Sequence, residues 1–225
     1  MRILLLRLEG VLQSWGEGSR WDNRNTTDMP TKSGIIGLIG CAMGIPRGDE
    51  RLNQMAQALV MASRADRDGT VLSDFHTVQS KSGMFPNAAG VSTNPKDTII
   101  TPREYMQDAC YTVFLTGNDE WLSACEYALR HPVWVPSLGR RSCPPSRPLL
   151  PIMTEAYETL EDAVQLFRWE TPPVRGMAEY LRVELDDPSG QKERTDLPVN
   201  SSVYAYRKRR VRTYSVENRG DLPCI

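Results

Sequence analysis

The chain of 225 residues carries a formal net charge of −1, with 40% hydrophobic and 24% charged residues. These values are typical of a globular protein with one sizeable domain. They exclude bulk attraction to polyanions, so a nucleic-acid surface has to come from local clusters. Five cysteines without a Cys-x-x-Cys pair, and only two histidines, predict no disulfide framework, no metal site and no cofactor.

No apolar run approaches the length of a membrane span, and the run over residues 3–6 is too short for a signal sequence. We therefore expect a cytoplasmic protein without membrane contact. The sequence also contains no internal repeat.

Hydrophobic periodicity and turn residues predict the elements of the first two thirds of the chain. Strands alternate with helices, and the helices begin at residues that cap free amides. In chain order they are a buried strand over 2–8, an irregular polar segment over 11–32, a glycine-rich helix over 34–44, a short helix over 49–58, strands over 59–65 and 70–78 joined by a turn into a hairpin, a loop over 79–97, a central strand over 109–116, a helix from Asn118 or Asp119 to Arg130, and a proline-rich loop over 131–151.

The last third predicts a short amphipathic helix that Thr159 opens and that ends near Phe167, and then strands over 180–185 and 203–216. The order strand, helix, strand, strand, then strand, helix, strand fits an α+β fold. We expect a ferredoxin-like core with a hairpin and a C-terminal β extension.

The glycine-rich helix is the most informative stretch of the chain. Glycine costs a helix about 1 kcal/mol relative to alanine, so its repeated use needs a reason. Gly37, Gly40 and Gly44 share one face, which predicts close approach of another backbone. At the start of the helix, Thr31 or Ser33 can cap, and Lys32 beside free amides resembles a phosphate site. Packing alone and packing with phosphate binding both fit this pattern.

A second polar cluster surrounds Trp15, with Gln13, Arg20, Trp21 and Arg24 nearby in an irregular segment. Arginines interleaved with aromatic rings offer phosphate contacts and stacking surfaces to unpaired bases. The alternative interpretation is that Trp15 closes the edge of the hydrophobic core.

A third cluster contains His76, with Lys81, Arg103 and Tyr105 further along the chain. Histidine, lysine and tyrosine together can cleave RNA without a metal, with histidine as general acid or base and lysine stabilising the charge of the phosphorane. A histidine at the end of a strand is also compatible with a purely structural role.

The fourth cluster is the pair Arg140 and Arg141, framed by Gly139 and Pro144. This frame predicts two guanidinium groups presented to phosphates or to a carboxylate. Cys143 is a candidate for a lowered thiol pKa, but no histidine accompanies it in sequence, which argues against nucleophilic catalysis. A further basic run over 207–212 has no role that the sequence defines.

Together these clusters resemble the Cas5-type family, part of the RAMP superfamily of RNA-binding proteins in CRISPR Cascade complexes. The matching motifs occur in family order and span roughly residues 3–150. They are Leu12-Gln13-Ser14-Trp15-Gly16, Pro30-Thr31-Lys32-Ser33-Gly34 with the glycine helix to Gly44-Ile45, Asp74-Phe75-His76-Thr77-Val78, Arg103-Glu104-Tyr105 with Asp108-Ala109, and Leu138-Gly139-Arg140-Arg141-Ser142-Cys143-Pro144.

The resemblance implies a ferredoxin-like core related to RNA-recognition motifs. On this basis residues 1–150 form the RAMP domain, with a protruding β-hairpin thumb at about 74–103. Residues 151–225 form a C-terminal extension, mainly of strands, packed on that core.

The resemblance also implies a non-catalytic subunit of a type I-E complex in antiviral defence. Such a subunit grips the 5′ handle of the guide RNA, caps the filament of CasC backbone subunits and supports the large subunit CasA, so that it meets target DNA indirectly. The alternative is the metal-independent repeat endoribonuclease of type I-C relatives, which would use His76, Lys81 and Tyr105. A generic interaction domain without RNA is a third possibility.

With the non-catalytic interpretation, the chain has no catalytic residue and no metal ligand. The predicted RNA-binding residues are Gln13, Trp15, Arg20, Arg24, Thr31, Lys32, Ser33, Gly34, His76, Lys81, Arg103, Tyr105, Arg140 and Arg141.

Overall fold

The structure is a computed structural model that describes residues 1–17, 23–79, 85–86, 92–94, 98–170, 178–200 and 205–218. No helix in these ranges has the length and apolar character needed to cross a membrane. The helices are α1 (Lys32–Ala42), α2 (Glu50–Ala58), α3 (Asp119–Arg130) and α4 (Leu160–Leu166). The strands are β1 (Ile3–Glu9), β2 (Leu12–Gln13), β3 (Leu59–Arg67), β4 (Thr70–Gln79), β5 (Phe85–Pro86), β6 (Ser92–Asn94), β7 (Thr98–Gln107), β8 (Cys110–Gly117), β9 (Ile152–Thr154), β10 (Tyr180–Asp186), β11 (Lys192–Asn200) and β12 (Ala205–Glu217).

Seven of the described strands form one antiparallel sheet, in the order β11-β12-β10-β3-β8-β1-β9. β1 lies between β8 and β9, with Leu5 opposite Phe114 on one side and Ile152 on the other. Its side chains from Ile3 to Leu8 are buried on both faces of the sheet. This double burial explains why the strand has a continuous apolar run rather than an alternating pattern.

Each face of the large sheet has its own hydrophobic core. Leu4 belongs to one core together with Ile35 of α1 and Leu122 of α3. Leu5 belongs to the other core, with Val164 of α4. Helices therefore cover the sheet from both sides, and α1 packs on the same side as α3.

The predicted helices and most of the predicted strands are confirmed close to their expected bounds. Thr31 caps α1 and Asn118 caps α3, each accepting a hydrogen bond from an amide of the first turn. Thr159 forms a reciprocal capping box with Asp162 at the start of α4. These helix starts were predictable because each cap depends on residues two or three positions apart.

The predicted pairing of residues 59–65 with 70–78 is wrong. β3 pairs with β8 and β10 in the large sheet, whereas β4 pairs with β7. β3 is almost entirely buried and β4 is almost entirely exposed. The turn at residues 67–69 therefore carries the chain from one sheet to another instead of closing a hairpin. The predicted elements do not include the short strands β2, β5, β6 and β9 or the polar strand β11. β7 is covered only in part, by the thumb that the family resemblance implies.

β4 and β7 form a long antiparallel hairpin, called the arm below. Thr70 lies opposite Gln107 at its base, and Gln79, the last of the ten residues of β4, lies opposite Thr98. With β2 the arm makes a separate three-stranded sheet. The thumb predicted at about 74–103 falls within this hairpin, although residues 80–84, 87–91 and 95–97 lie outside the described residues.

The strands after residue 150 extend the large sheet at both edges. β9 pairs with β1, while β10 pairs with β3 and carries β12 and β11 outward. A division of the chain into a domain and an extension at residue 150 stays a prediction.

A buried group of charges joins the start of α1 to the outer strands of this sheet. We call Lys32, Asp186, Asp196 and Arg209 the α1 ion network. The ammonium of Lys32 donates to Asp186 Oδ2 and to the carbonyl oxygen of Leu59, both at 2.7 Å. The backbone amide of Lys32 donates to Asp196 Oδ2 at 2.7 Å.

Arg209 completes the α1 ion network from β12. It donates to Asp196 Oδ1 at 2.6 Å and also to Asp186. Burial acts to lower the pKa of Arg209, but hydrogen bonds and charge attraction from the two carboxylates raise it overall. The side chain of Asp196 is only 1% exposed, so each of its charged partners compensates a carboxylate removed from water.

We expect Asp196→Ala to lower the free energy of unfolding by about 3–5 kcal/mol, because it leaves a buried guanidinium and a helix amide without their carboxylate. Glu193→Ala is the matched control on the same strand, since Glu193 pairs with Lys208 at the surface. That variant should lose less than about 1 kcal/mol. Urea denaturation measures both, and equal small losses would contradict a structural role for the network.

Candidate nucleic-acid interface

Gln13 and Trp15, two of the predicted RNA-binding residues, have fully buried side chains. Gln13 Nε2 donates to the carbonyl oxygens of Leu8 and Ala109, and its Oε1 accepts from the Trp15 indole at 3.2 Å. The Trp15 ring also lies against Gly34, where an added Cβ would be 2.9 Å from it. The geometry supports the alternative in which Trp15 closes the core, and direct RNA contact by either side chain has no support in it.

The predicted phosphate site at the start of α1 is occupied by the chain's own carboxylates. Asp196 accepts from the first helical amide, and the Lys32 ammonium is paired with Asp186. Thr31 is buried as the cap. These contacts favour the packing interpretation for Thr31 and Lys32. A charge reversal at Lys32 would therefore test folding rather than RNA binding.

The arm brings together several residues of the third cluster. His76 Nε2 lies 2.7 Å from Asp74 Oδ2 and 3.4 Å from the Tyr105 hydroxyl oxygen. Arg140 places its guanidinium over the Tyr105 ring, 4.7 Å from the ring centroid. Arg103 is half-buried, and its Nε donates to Thr101 on the same strand at 3.4 Å.

This arrangement unites two of the three residues of the nuclease alternative. His76 and Tyr105 are within hydrogen-bond distance, whereas Lys81 lies outside the described residues. The same imidazole nitrogen, Nε2, faces both the carboxylate of Asp74 and the phenol of Tyr105. Tyr105 is 2% exposed beneath Arg140. These contacts link β4 to β7, and a reacting phosphate that used Nε2 would have to displace a partner from it.

The loop over residues 138–143 points its two arginines in different directions. Gly139 has φ +92°, and a side chain there would overlap the carbonyl oxygen of Ser14, so this turn requires glycine. Arg140 turns inward and donates to the carbonyl oxygens of Glu104 at 2.8 Å and Arg24 at 2.6 Å. Arg141 is exposed, and within the described part of the chain it makes no ion pair.

The other basic residues that the sequence singled out are Arg24, Arg20 and the run over 207–212. Arg24 is half-buried, and its backbone bridges to β7 through hydrogen bonds with Pro102 and Glu104. Arg20 lies outside the described residues. Three of the five basic residues along 207–212 pair with carboxylates. Lys208 pairs with Glu193, Arg209 belongs to the α1 ion network, and Arg212 pairs with Glu161 and Asp187.

Arg141 opens onto a groove of about 690 Å³ that runs along the outer side of α1. We call it the α1 groove. Ser33, Gly34 and Gly37 lie along its floor, α2 contributes one wall, and the loop after α3 and the paired ends of β11 and β12 also line it. The sequence motifs signalled Ser33, Gly34 and Arg141. Trp134 and Tyr206 of the same groove were missed, because nothing local in sequence links them to α1.

The described residues give little support for covalent catalysis or for metal binding. Burial raises the pKa of the Cys143 thiol, although Arg140 acts in the opposite direction, so the expected lowered pKa is not found. Within the ranges given above, no group of three or more histidine, cysteine, aspartate or glutamate residues could hold a metal ion.

A family model described as CRISPR-associated protein (Cas_Cas5) matches residues 3–212. The chain belongs to this Cas5 family. The match continues past residue 150 through β10, β11 and the first half of β12. The C-terminal strands are thus part of the Cas5 pattern, beyond the stretch in which the sequence motifs lie.

Individual relatives agree with this assignment. CRISPR system Cascade subunit CasD of Escherichia coli (strain K12) is 37% identical over 158 residues, which cover 65% of this chain and 68% of that protein. A chain of a CRISPR RNA-guided surveillance complex has a TM-score of 0.78 and 33% identity, covering 98% of this chain and 92% of its own. A Cas protein crystal structure has a TM-score of 0.71 and 30% identity, covering 96% and 95%.

The two neighbouring arginines predict opposite responses to truncation. Arg140→Ala removes two hydrogen bonds from a charged donor to partly buried carbonyl oxygens, so we expect about 2–3 kcal/mol less stability. Arg141→Ala should change stability by less than about 0.5 kcal/mol, because its side chain is exposed. Thermal unfolding of the two variants distinguishes them. Similar melting temperatures would contradict a stabilising role for the two hydrogen bonds of Arg140.

Proposed function

We propose that this Cas5-family chain is a non-catalytic subunit of a type I-E Cascade complex in antiviral defence, and that it holds the 5′ handle of the guide RNA. The observation that carries the proposal is the similarity, over 98% of the chain, to a chain of a CRISPR RNA-guided surveillance complex. The 37% identity to an E. coli Cascade subunit supports the same assignment. The expected location, in the cytoplasm with the guide RNA, follows from it.

We infer that four strands of the large sheet, β9-β1-β8-β3, form a ferredoxin-like core related to RNA-recognition motifs. α1 and α2 connect β1 to β3, and α3 lies between β8 and β9 in the chain. The arm is inserted between β3 and β8, and β10, β12 and β11 extend the sheet beyond β3. In this arrangement the arm is the thumb.

The RNA contacts fall to groups that the fold leaves accessible. Arg141 and Ser33 lie at the α1 groove, while His76 and Arg103 lie partly exposed on the arm. They are separated by the loop over residues 138–143, whose two arginines face the two sides. A single strand crossing this loop would meet cations along its path, as phosphate binding requires.

Protein partners fit a different part of the arm. Val71, Phe75 and Ile100 are each more than half exposed, although side chains of this type are usually buried. We assign this apolar surface to the neighbouring CasC backbone subunit, with the chain as a cap at the end of that filament. The large subunit CasA would then sit beside it, and contact with target DNA would be indirect.

The second candidate function is a metal-independent repeat endoribonuclease, and the short distances among Asp74, His76 and Tyr105 favour it. A nuclease needs a histidine nitrogen free to exchange a proton with the ribose hydroxyl or the leaving group. The contacts at Nε2 favour a structural clamp instead. The assay below separates the two functions.

The test is filter binding of the full chain to single-stranded CRISPR-repeat RNA in EDTA at rising salt, with the same RNA then run on a denaturing gel. We expect intact RNA. With three phosphate contacts, affinity should fall about 100-fold for a tenfold rise in salt. Binding without salt dependence would point to a generic interaction domain. Site-specific scission that disappears in His76→Ala would replace the proposal with the nuclease.

A further inference from the structure

The α1 groove is open where a side chain would normally cover a helix. Apart from the neighbouring backbone of the helix itself, no described atom lies within 4 Å of the position that a Cβ of residue 37 would take. Elsewhere on α1 the glycines are tightly covered, since a Cβ at Gly40 would overlap Leu52 and one at Gly34 would meet Trp15. Packing therefore explains Gly34 and Gly40, but it leaves Gly37 without a reason inside the fold.

The wall of the groove contains aromatic surface that the fold does not bury. Trp134 is 47% exposed and lies between Val133 and Val135, which are also exposed. This strip is fixed in place, because the Val133 amide donates to the carbonyl oxygen of Ala42 at 2.8 Å. Tyr206, 40% exposed, lines the same groove from β12. Exposed aromatic residues on a fixed backbone are typical of a binding surface.

The polar groups of the groove favour an anionic ligand. The exposed Arg141 lines it, and Ser33 adds a hydroxyl. Asp49 also lines it, but its carboxylate is paired with Arg51 at 2.6 Å, which lowers the pKa of Asp49 to about 2 and balances its charge locally. A guanidinium beside aromatic rings suits a phosphate joined to a flat base.

We propose that the α1 groove binds one unpaired nucleotide of the guide RNA. The base lies over the bare backbone at Gly37 and stacks on Trp134 or Tyr206, and Arg141 binds its phosphate. A volume of about 690 Å³ accommodates a nucleotide with room for an adjoining phosphate. This inference rests on the proposed function and gives it a defined site. A protein segment is the competing occupant, and the experiment below separates the two.

The decisive variant is Gly37→Leu, which adds a side chain at the floor of the groove, where no described atom outside the local helix backbone lies within 4 Å of the new Cβ. Leucine is a better helix former than glycine, so the melting temperature should stay equal or rise. We expect the affinity for fluorescein-labelled, single-stranded CRISPR-repeat RNA to fall about tenfold or more. The matched control is Ala124→Leu, which creates the same side chain at an exposed position of α3 and should leave the affinity unchanged.

A second pair of variants tests the stacking. Trp134→Ala should weaken binding at least about fivefold, since a stacked base contributes about 1 kcal/mol or more. Trp134→Phe retains a ring and should retain most of the affinity. Photocrosslinking with 4-thiouridine in the same RNA should label the peptide that contains Trp134 or the one that contains Tyr206.

The outcomes separate the groove from the function as a whole. If the unmodified chain binds the RNA and Gly37→Leu binds equally well, the groove assignment fails and the proposed function stands. If Gly37→Leu keeps the RNA but loses a protein subunit from the complex in native mass spectra, the groove is a protein-docking site and the nucleotide proposal is wrong. If the unmodified chain retains no RNA, alone or in the assembled complex, both proposals fail.

Discussion

The carboxylates of Asp186 and Asp196 hold the start of α1 against the outer half of the large sheet. Asp186 accepts from the Lys32 ammonium, Asp196 accepts from the Lys32 backbone amide, and Arg209 of β12 bridges the two carboxylates. Burying such charges is costly unless every member has its partners, and in this network each one does. The arrangement ties the start of α1 to the end of β10 and to the β11–β12 pair. It also limits which part of α1 can bind a ligand, because the first amide of the helix and its lysine are already bound within the chain.

With the start of α1 closed in this way, the side of the helix becomes the accessible surface. The bare backbone at Gly37 is then more accessible to a ligand than the amides at the N-terminus. Arg141, rather than Lys32, is the accessible cation beside the helix. The loop over residues 138–143 divides its two arginines between roles, one clasping the base of the arm and one facing the groove. A single local turn thus couples the stability of the arm to the placement of Arg141, the group that we propose binds phosphate.

The sequence predicted what depends on near neighbours. It located α1 and its Thr31 cap, the Asn118 cap of α3 and the core role of Trp15 as one of two alternatives. It could not predict that Lys32 is paired with carboxylates of the same chain, because its partners lie 154 and 164 positions away in the sequence. Arg140 and Arg141 are adjacent residues of the same type. Only the backbone turn at Gly139 gives their side chains different directions. β11 was missed because its buried positions carry charged side chains instead of an apolar pattern. Arg194 and Asp196 are buried there with partners on β10 and β12.

Hydroxyl-radical footprinting of the full chain, with and without CRISPR-repeat RNA, tests most directly whether the side of α1, rather than its start, receives the strand. Trp134 and Tyr206 are exposed enough to be oxidised in the free chain, whereas Trp15 is fully buried. The account predicts that RNA slows oxidation of Trp134 and Tyr206 and leaves Trp15 unreactive in both states. Unchanged oxidation rates at Trp134 and Tyr206 in the presence of bound RNA would contradict it.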